Sequence, residues 1–312
     1  MPIAQTAEDF GSRSRERVIA SIESDLKNTY IDLPVAERMN ASLTAHQQAG
    51  DYDRITDPYS FALRLTKDLQ AVSQDRHLHV EFAPFPQLAI QTESSVAKLA
   101  IERAQALRDN CAFKEAKILS NNIGYIKFDA FRNPDVCALT ASAAIASLAH
   151  CSALIVDMRE NHGGYPAMVS YIATYFFSKP THLNDLYIRK TDSTQQYWTL
   201  PAVPGERLIT QPIYVLTSMD TFSAAEEFSY DLQTQKRALV VGETTGGGAH
   251  PIHGYHLTDS LIIYVPEGRP INPITHTDWE GKGVIPDISV SANDALSVAE
   301  KLATQKVQAK PQ

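Results

Sequence analysis

The stretch IYVLTSMDTFSAAEEFSYDL, residues 213–232, passes from an unbroken apolar run through a polar corner into a segment with helical spacing. A short apolar run of this kind, IYVLT at 213–217, reads as a strand buried on both faces. The same succession recurs on either side. GYIKF at 124–128 precedes a helix from about Asp135 to Ala149, and ALIVDM at 153–158 precedes a helix over roughly 165–178. ALVVG at 238–242 and LIIYV at 261–265 supply further strands, and a helix closes the chain after Asn293. Strands alternating with helices predict an α/β fold, a sheet covered by helices.

Upstream the period changes. Val18, Ile22, Leu26 and Tyr30 recur every four residues, Pro34 opens a second helix with Val35, Met39 and Leu43, and Asp57-Pro58 caps a third that carries Phe61, Leu65, Leu69 and Val72. The pattern ends in QDRHLHVEFAPFP, where residues alternate over His77 to Phe82 and prolines follow. We therefore divide the chain into a helical-bundle domain, residues 1–84, and an α/β domain, residues 85–312. The long connection from Lys179 to Gln211 shows one strand candidate, DLYIRK, and its length suits a lid or binding segment.

Composition narrows the function classes. The 312 residues are 44% hydrophobic, enough for a sizeable core, and 36 acidic against 28 basic side chains give a net charge of -8, which argues against a nucleic-acid groove. No apolar run reaches the roughly 18 residues of a spanning helix, and MPIAQTAEDFGSRSRER lacks the apolar core of a secretory leader. Cys111, Cys137 and Cys151 have no metal spacing and no disulfide-framework pattern, and their apolar neighbours predict inert buried thiols. Nothing in the pattern calls for a metal or cofactor.

Four segments carry candidate chemistry. In DMRENHGG, residues 157–164, paired glycines after a strand allow a sharp turn with backbone N–H groups free to face an anion; alone, the segment reads better as a tight turn. Ser223 stands at a strand-to-helix corner, where it is either an N-cap or an exposed nucleophile whose neighbour Ala224 offers an N–H at the positive helix end. GETTGGGAHP, residues 242–251, has neither GxGxxG nor GK[ST], so Gly246, Gly247 and Gly248 suit close approach by a substrate strand better than a phosphate. Glu280 in WEGKG is either a solvated carboxylate or one that orients a histidine. Among ten histidines, His77 and His79 share one side of the alternating segment, while His250, His253, His256 and His276 are scattered.

Read together, DRHLHV, NIGYIKFDAF, LIVDMRENHGG, TSMDTFSAAEEF, VVGETTGGGAHP and WEGKGVIPDISV resemble, in order, the tail-specific or C-terminal-processing serine protease family, in particular its tricorn-core and interphotoreceptor retinoid-binding branch. The resemblance covers about residues 15–300. It implies a crotonase-like ββα-spiral core behind a helical domain, with Ser223 as nucleophile and the amides of Gly163 or Gly164 and of Ala224 as the oxyanion hole. Gly247 stands where the processing proteases carry a lysine, so a Ser-Lys dyad is not implied. The tricorn-like pattern implies His77 as general base and acid, with His79 as fallback, and Glu280 as the orienting carboxylate. Arg76 occupies the place of a second serine, and the interval after His77 is too short for a PDZ domain. The implied partner is a peptide or protein substrate. The alternative is a non-catalytic carrier of a retinoid or fatty acid, as the module-like size suggests. Relatives of this kind are commonly exported, which implies a periplasmic or extracellular location if a leader has been removed and a cytoplasmic one otherwise.

Overall fold

The structure, a computed structural model, describes residues 10–83 and 95–309. The boundary placed between residues 84 and 85 lies outside the described residues. In chain order the elements are α1 (Ser12–Thr29), α2 (Leu33–Gln48), α3 (Pro58–Ser73), β1 (His79–Phe82), α4 (Ser95–Arg108), β2 (Phe113–Leu119), β3 (Ile123–Phe128), α5 (Pro134–Ala146), β4 (Ala153–Asp157) and α6 (Pro166–Ala173). Next come β5 (His182–Ile188), β6 (Ser193–Trp198), β7 (Ile213–Thr217), α7 (Ala224–Thr234), β8 (Leu239–Gly242), β9 (Ile252–His256), β10 (Leu261–Pro266), β11 (Gly268–Ile271), β12 (Ile288–Ser289) and α8 (Ala292–Gln308). No helix among the described residues is long and apolar enough to cross a membrane.

Two compact units result. The first comprises Met1–Glu93, Ile188–Ser193 and His250–Arg269. Asp57 caps α3 by accepting from the Ser60 N–H, and a proline stands in the first turn of both α2 and α3, as the sequence predicts; Asp32 likewise caps α2 by accepting from the Val35 N–H. Val18, Ile22, Leu26, Met39, Leu43, Phe61 and Leu65 converge in one core with Leu261, Ile263 and Val265 of β10. That strand lies between β1 and β9 in an antiparallel sheet, His79 opposite Tyr264. The helical region thus gains a small sheet from a hairpin late in the chain.

The second unit comprises Ser94–Tyr187, Thr194–Ala249 and Pro270–Gln312. Its six-stranded sheet has the order β12-β8-β7-β4-β3-β2, parallel except where β2 meets β3. Every residue of β4 and β7 is buried, and the two-residue period of a strand sorts them between two faces. Leu154, Val156, Ile213 and Val215 pack with Ile145, Met168, Ile172 and Phe228 of α5, α6 and α7. Ala153, Ile155, Tyr214 and Leu216 pack with Ala295, Ala299 and Ala303, which α8 presents at four-residue spacing. Apolar on both faces and parallel, these strands read as continuous apolar runs.

Two expectations change. The connection from 179 to 211 holds two strands, β5 and β6, where one was expected. Cys111 and Cys137 form a disulfide instead of remaining thiols; a turn after α4 carries Cys111 to α5, bringing the Cα atoms to 5.7 Å, a distance that sequence spacing cannot reveal. Closing a loop of this length stabilises the fold by roughly 3 kcal/mol in the chain-entropy view. Cys151 is a free buried thiol, as expected.

Candidate active site

β4, β7 and β8 are neighbours and parallel, so their carboxyl ends lie at one edge of the sheet, where open α/β sheets place ligands. The loops leaving those ends are the three glycine- and serine-bearing segments singled out in the sequence. They are laced together. Thr221 Oγ1 donates to the carbonyl of Met158 at 2.9 Å, the Phe222 N–H donates to the carbonyl of Asn161 at 3.0 Å, and the Gly246 N–H donates to the carbonyl of Thr221 at 3.0 Å.

Ser223 is half-buried at the N-cap of α7, with φ 56° and ψ -124°. A positive φ at a serine costs on the order of 1–3 kcal/mol and persists only where the surroundings impose it. The bend projects the residue from the corner, as in the strained strand-to-helix elbows of hydrolases. Gly163, with φ 94°, lies against it: a Cβ there would stand 2.7 Å from both the Ala224 nitrogen and the Ser223 Cβ. Only glycine leaves the Ala224 N–H open. Of the candidate oxyanion donors, the Gly163 N–H is already donated to Asn161 Oδ1 at 2.9 Å. The N–H groups of Gly164 and Ala224 have no hydrogen-bond partner among the described residues.

Glu226, fully buried one turn into α7, explains what holds the elbow. Its carboxylate accepts from the Ser223 N–H (2.9 Å), Thr245 Oγ1 (2.5 Å) and the N–H groups of Gly247 (2.7 Å) and Gly248 (2.8 Å). Burial raises its pKa, and these four donors pull in the opposite direction. The N–H groups of Gly246, Gly247 and Gly248, offered above to a substrate strand, are therefore donated inside the protein. The Glu280 carboxylate accepts from the Ala249 N–H at 2.5 Å, and the neighbouring Trp279 indole donates to the Gly248 carbonyl at 2.8 Å. The WEGKG loop thus braces the outer side of the glycine segment.

His77, His79 and His250 belong to the first unit. His77 is buried, its backbone N–H donating to Asp75 Oδ1 at 2.9 Å and its Nδ1 lying 3.8 Å from the same oxygen. Burial pushes the His77 pKa down to about 4, against the opposing charge of Asp75. The other oxygen of Asp75 pairs with His250 Nδ1 at 2.7 Å. Burial alone would raise the Asp75 carboxyl, but His250 and His77 hold it below its ordinary value. His79, the fallback base, turns its Nδ1 to the His77 carbonyl at 2.8 Å and stacks on Tyr264. Sequence reasoning missed Asp75, Asn161, Glu226 and the part played by His250. Only Glu226 had a local signal, the S-x-x-E spacing of a capping box.

A second pair of carboxylates lies buried on α7, where Glu227 and Asp231 are one turn apart. Burial raises the Glu227 pKa to about 7 and, with the Glu227 charge, lifts Asp231 well above the usual range. Because both folded values exceed the unfolded ones, their contribution to stability is fully present below about pH 4 and is lost as pH rises through about 7. Asp231→Asn is therefore expected to raise Tm at pH 8 by several degrees and to change it little at pH 5, read by thermal melts. Parallel Tm profiles for the two proteins would contradict this.

Comparison with known proteins adds the family. A family model described as peptidase family S41 matches residues 122–290, and one described as the N-terminal domain of that family in eukaryotic IRBP matches residues 12–115. The chain is 30% identical over 171 residues to the chloroplastic carboxyl-terminal-processing peptidase 2 of Arabidopsis thaliana, covering 54% of this chain and 32% of that protein. It spans less than half the length of the curated relatives it matches. Among solved structures, mature CPAF in complex with lactacystin superimposes with a TM-score of 0.62 at 11% identity over 95% of this chain and 99% of that one. The photosystem II D1 C-terminal processing protease gives 0.54 at 15% identity over 89% and 94%. At these identities the solved structures establish likeness of fold.

Proposed function

The chain belongs to peptidase family S41, and from that premise we propose that it hydrolyses peptide bonds as a serine-type peptidase. In this reading His77 takes the proton of Ser223 Oγ as the oxygen bonds to the scissile carbonyl carbon, and Glu280 orients the imidazole. The tetrahedral oxyanion rests on the N–H groups of Gly164 and Ala224, each contributing about 3 kcal/mol toward the transition state. Collapse breaks the C–N bond, the imidazolium gives its proton to the leaving amine, and water, deprotonated by His77, hydrolyses the acyl ester. The elbow at Ser223 carries the reading: strain imposed on a serine beside an undonated helix N–H is a cost that capping alone does not explain. The role of Gly246–Gly248 in this reading is to hold Glu226, and through it the elbow.

A fluorophosphonate probe is expected to form one adduct per chain, on Ser223, located by peptide mass spectrometry. The match to the IRBP N-terminal domain supports one rival, a carrier of a lipophilic ligand. Saturable quenching by retinol with no adduct on Ser223 would replace the peptidase reading with that one.

A further inference from the structure

Beside the oxyanion donors lies a recess of about 170 Å³ in the second unit, lined by Glu102, Gln105, Ala106, Arg132, Val136 and Tyr165, among others. Its connection to the elbow runs through backbone. The Phe131 N–H donates to the Gly163 carbonyl and the Tyr165 N–H to the Phe131 carbonyl, both at 2.8 Å, so Arg132 and Tyr165 continue directly from the two strands of chain that fix Gly164. A residue whose carbonyl oxygen rests on the Gly164 N–H thus has this recess at hand.

The polar groups of the recess give it a sign. Glu102 Oε1 accepts from the Tyr165 hydroxyl at 3.0 Å and Oε2 from Asn133 Nδ2 at 2.9 Å, both neutral donors. The one guanidinium, Arg132, is engaged by Asp109 at 2.5 Å. No cation pairs with Glu102 among the described residues. Asp109, outside the lining, offsets the Arg132 charge, so among the described lining residues the uncompensated charge is that of Glu102, a carboxylate held in place by two hydrogen bonds. The Cys111–Cys137 disulfide ties the end of α4, which carries Glu102, to α5, so the wall is braced covalently.

We infer that this recess is a substrate subsite for a basic side chain, a lysine or arginine flanking the scissile bond, with Glu102 as the residue that selects it. The inference rests on the peptidase reading for its place in the reaction. It needs no movement of Tyr165 or Asn133, because a carboxylate oxygen accepting one hydrogen bond retains a lone pair for an ammonium or guanidinium. The stems of both side chains are apolar and match Ala106 and Val136.

Two measurements separate the possibilities. Peptides identical except for lysine, norleucine or glutamate at the positions flanking the scissile bond are compared for kcat/KM, and their binding to the Ser223→Ala variant is followed by fluorescence anisotropy. Lysine is expected to exceed norleucine by about tenfold and glutamate by more, in turnover and in binding, as one charge contact added to an unchanged stem allows. Glu102→Gln, whose amide oxygen can still accept from Asn133 and whose NH2 can donate to the Tyr165 hydroxyl oxygen, is expected to bring lysine and norleucine level. Turnover with no lysine preference, or a preference unchanged in Glu102→Gln, overturns the subsite and leaves the peptidase reading standing. Absence of turnover together with Glu102-dependent binding of lysine overturns the peptidase reading and leaves the subsite. Absence of lysine-selective binding overturns the subsite whatever the turnover.

Discussion

Ser223→Ala is expected to lower kcat/KM for peptide hydrolysis by a hundred-thousand-fold or more, the order of loss when a serine hydrolase is deprived of its nucleophile. The fold is expected to be untouched, for reasons visible around the residue. The hydrogen bond to Glu226 comes from the backbone N–H of position 223, which alanine keeps, and alanine meets the same φ of 56° with the same strain. Ser223→Gly makes a sharper companion. It removes the hydroxyl and also relieves the backbone, so it is expected to be as inactive as Ser223→Ala yet more stable by about 1 kcal/mol, the strain released exceeding the chain entropy that glycine adds. Greater stability of an inactive variant marks a residue kept strained for its chemistry. Urea unfolding and initial rates on the three proteins suffice. Equal turnover in Ser223→Ala and the parent would sink the nucleophile assignment, and a less stable Ser223→Gly would sink the strain argument.

Why the strand-to-helix corner at Ser223 was legible, and the contacts that hold it only partly, follows from the range of the interactions. The strands β4 and β7 announce themselves because burial on both faces leaves no room for polar residues, so ALIVD and IYVLT are unbroken in the sequence. The helices of the first unit are marked by local caps, Asp32 and Asp57 each acting within three residues. β9 and the sheet it forms with β1 and β10 carry no such mark, since pairing His79 with Tyr264 depends on chain far apart in sequence. The same limit applies at the site. That Gly247 and Gly248 donate to Glu226 is a matter of segments that follow separate strands meeting at one sheet edge. A glycine-rich segment reads as room for a substrate when its N–H groups are in fact committed to a buried carboxylate.

His77 is the other point at which the proposed mechanism is exposed to a large loss. His77→Ala is expected to abolish both peptide turnover and fluorophosphonate labelling of Ser223, whereas His250→Ala is expected to retain labelling, since His250 is the partner that holds the far oxygen of Asp75. The pH profile supplies a signature that a merely structural histidine would lack. With burial pushing the His77 pKa down to about 4, the imidazole is neutral through the physiological range, and kcat/KM is expected to hold level from pH 8 to about 5 and to fall by half near pH 4. Removing His250 takes away a neighbouring positive charge that depresses His77, and leaves Asp75 to face His77 alone; both changes favour the imidazolium. The acid limb in His250→Ala is therefore expected to move to higher pH. In the proposed mechanism the Asp75 charge also gives a weak base its use: an imidazolium formed on His77 would stand 3.8 Å from a buried carboxylate and be stabilised where burial would otherwise oppose it. Loss of labelling in His250→Ala with full labelling in His77→Ala would transfer the base to His250. An acid limb near pH 6.5 that does not respond to His250→Ala would remove the argument from burial.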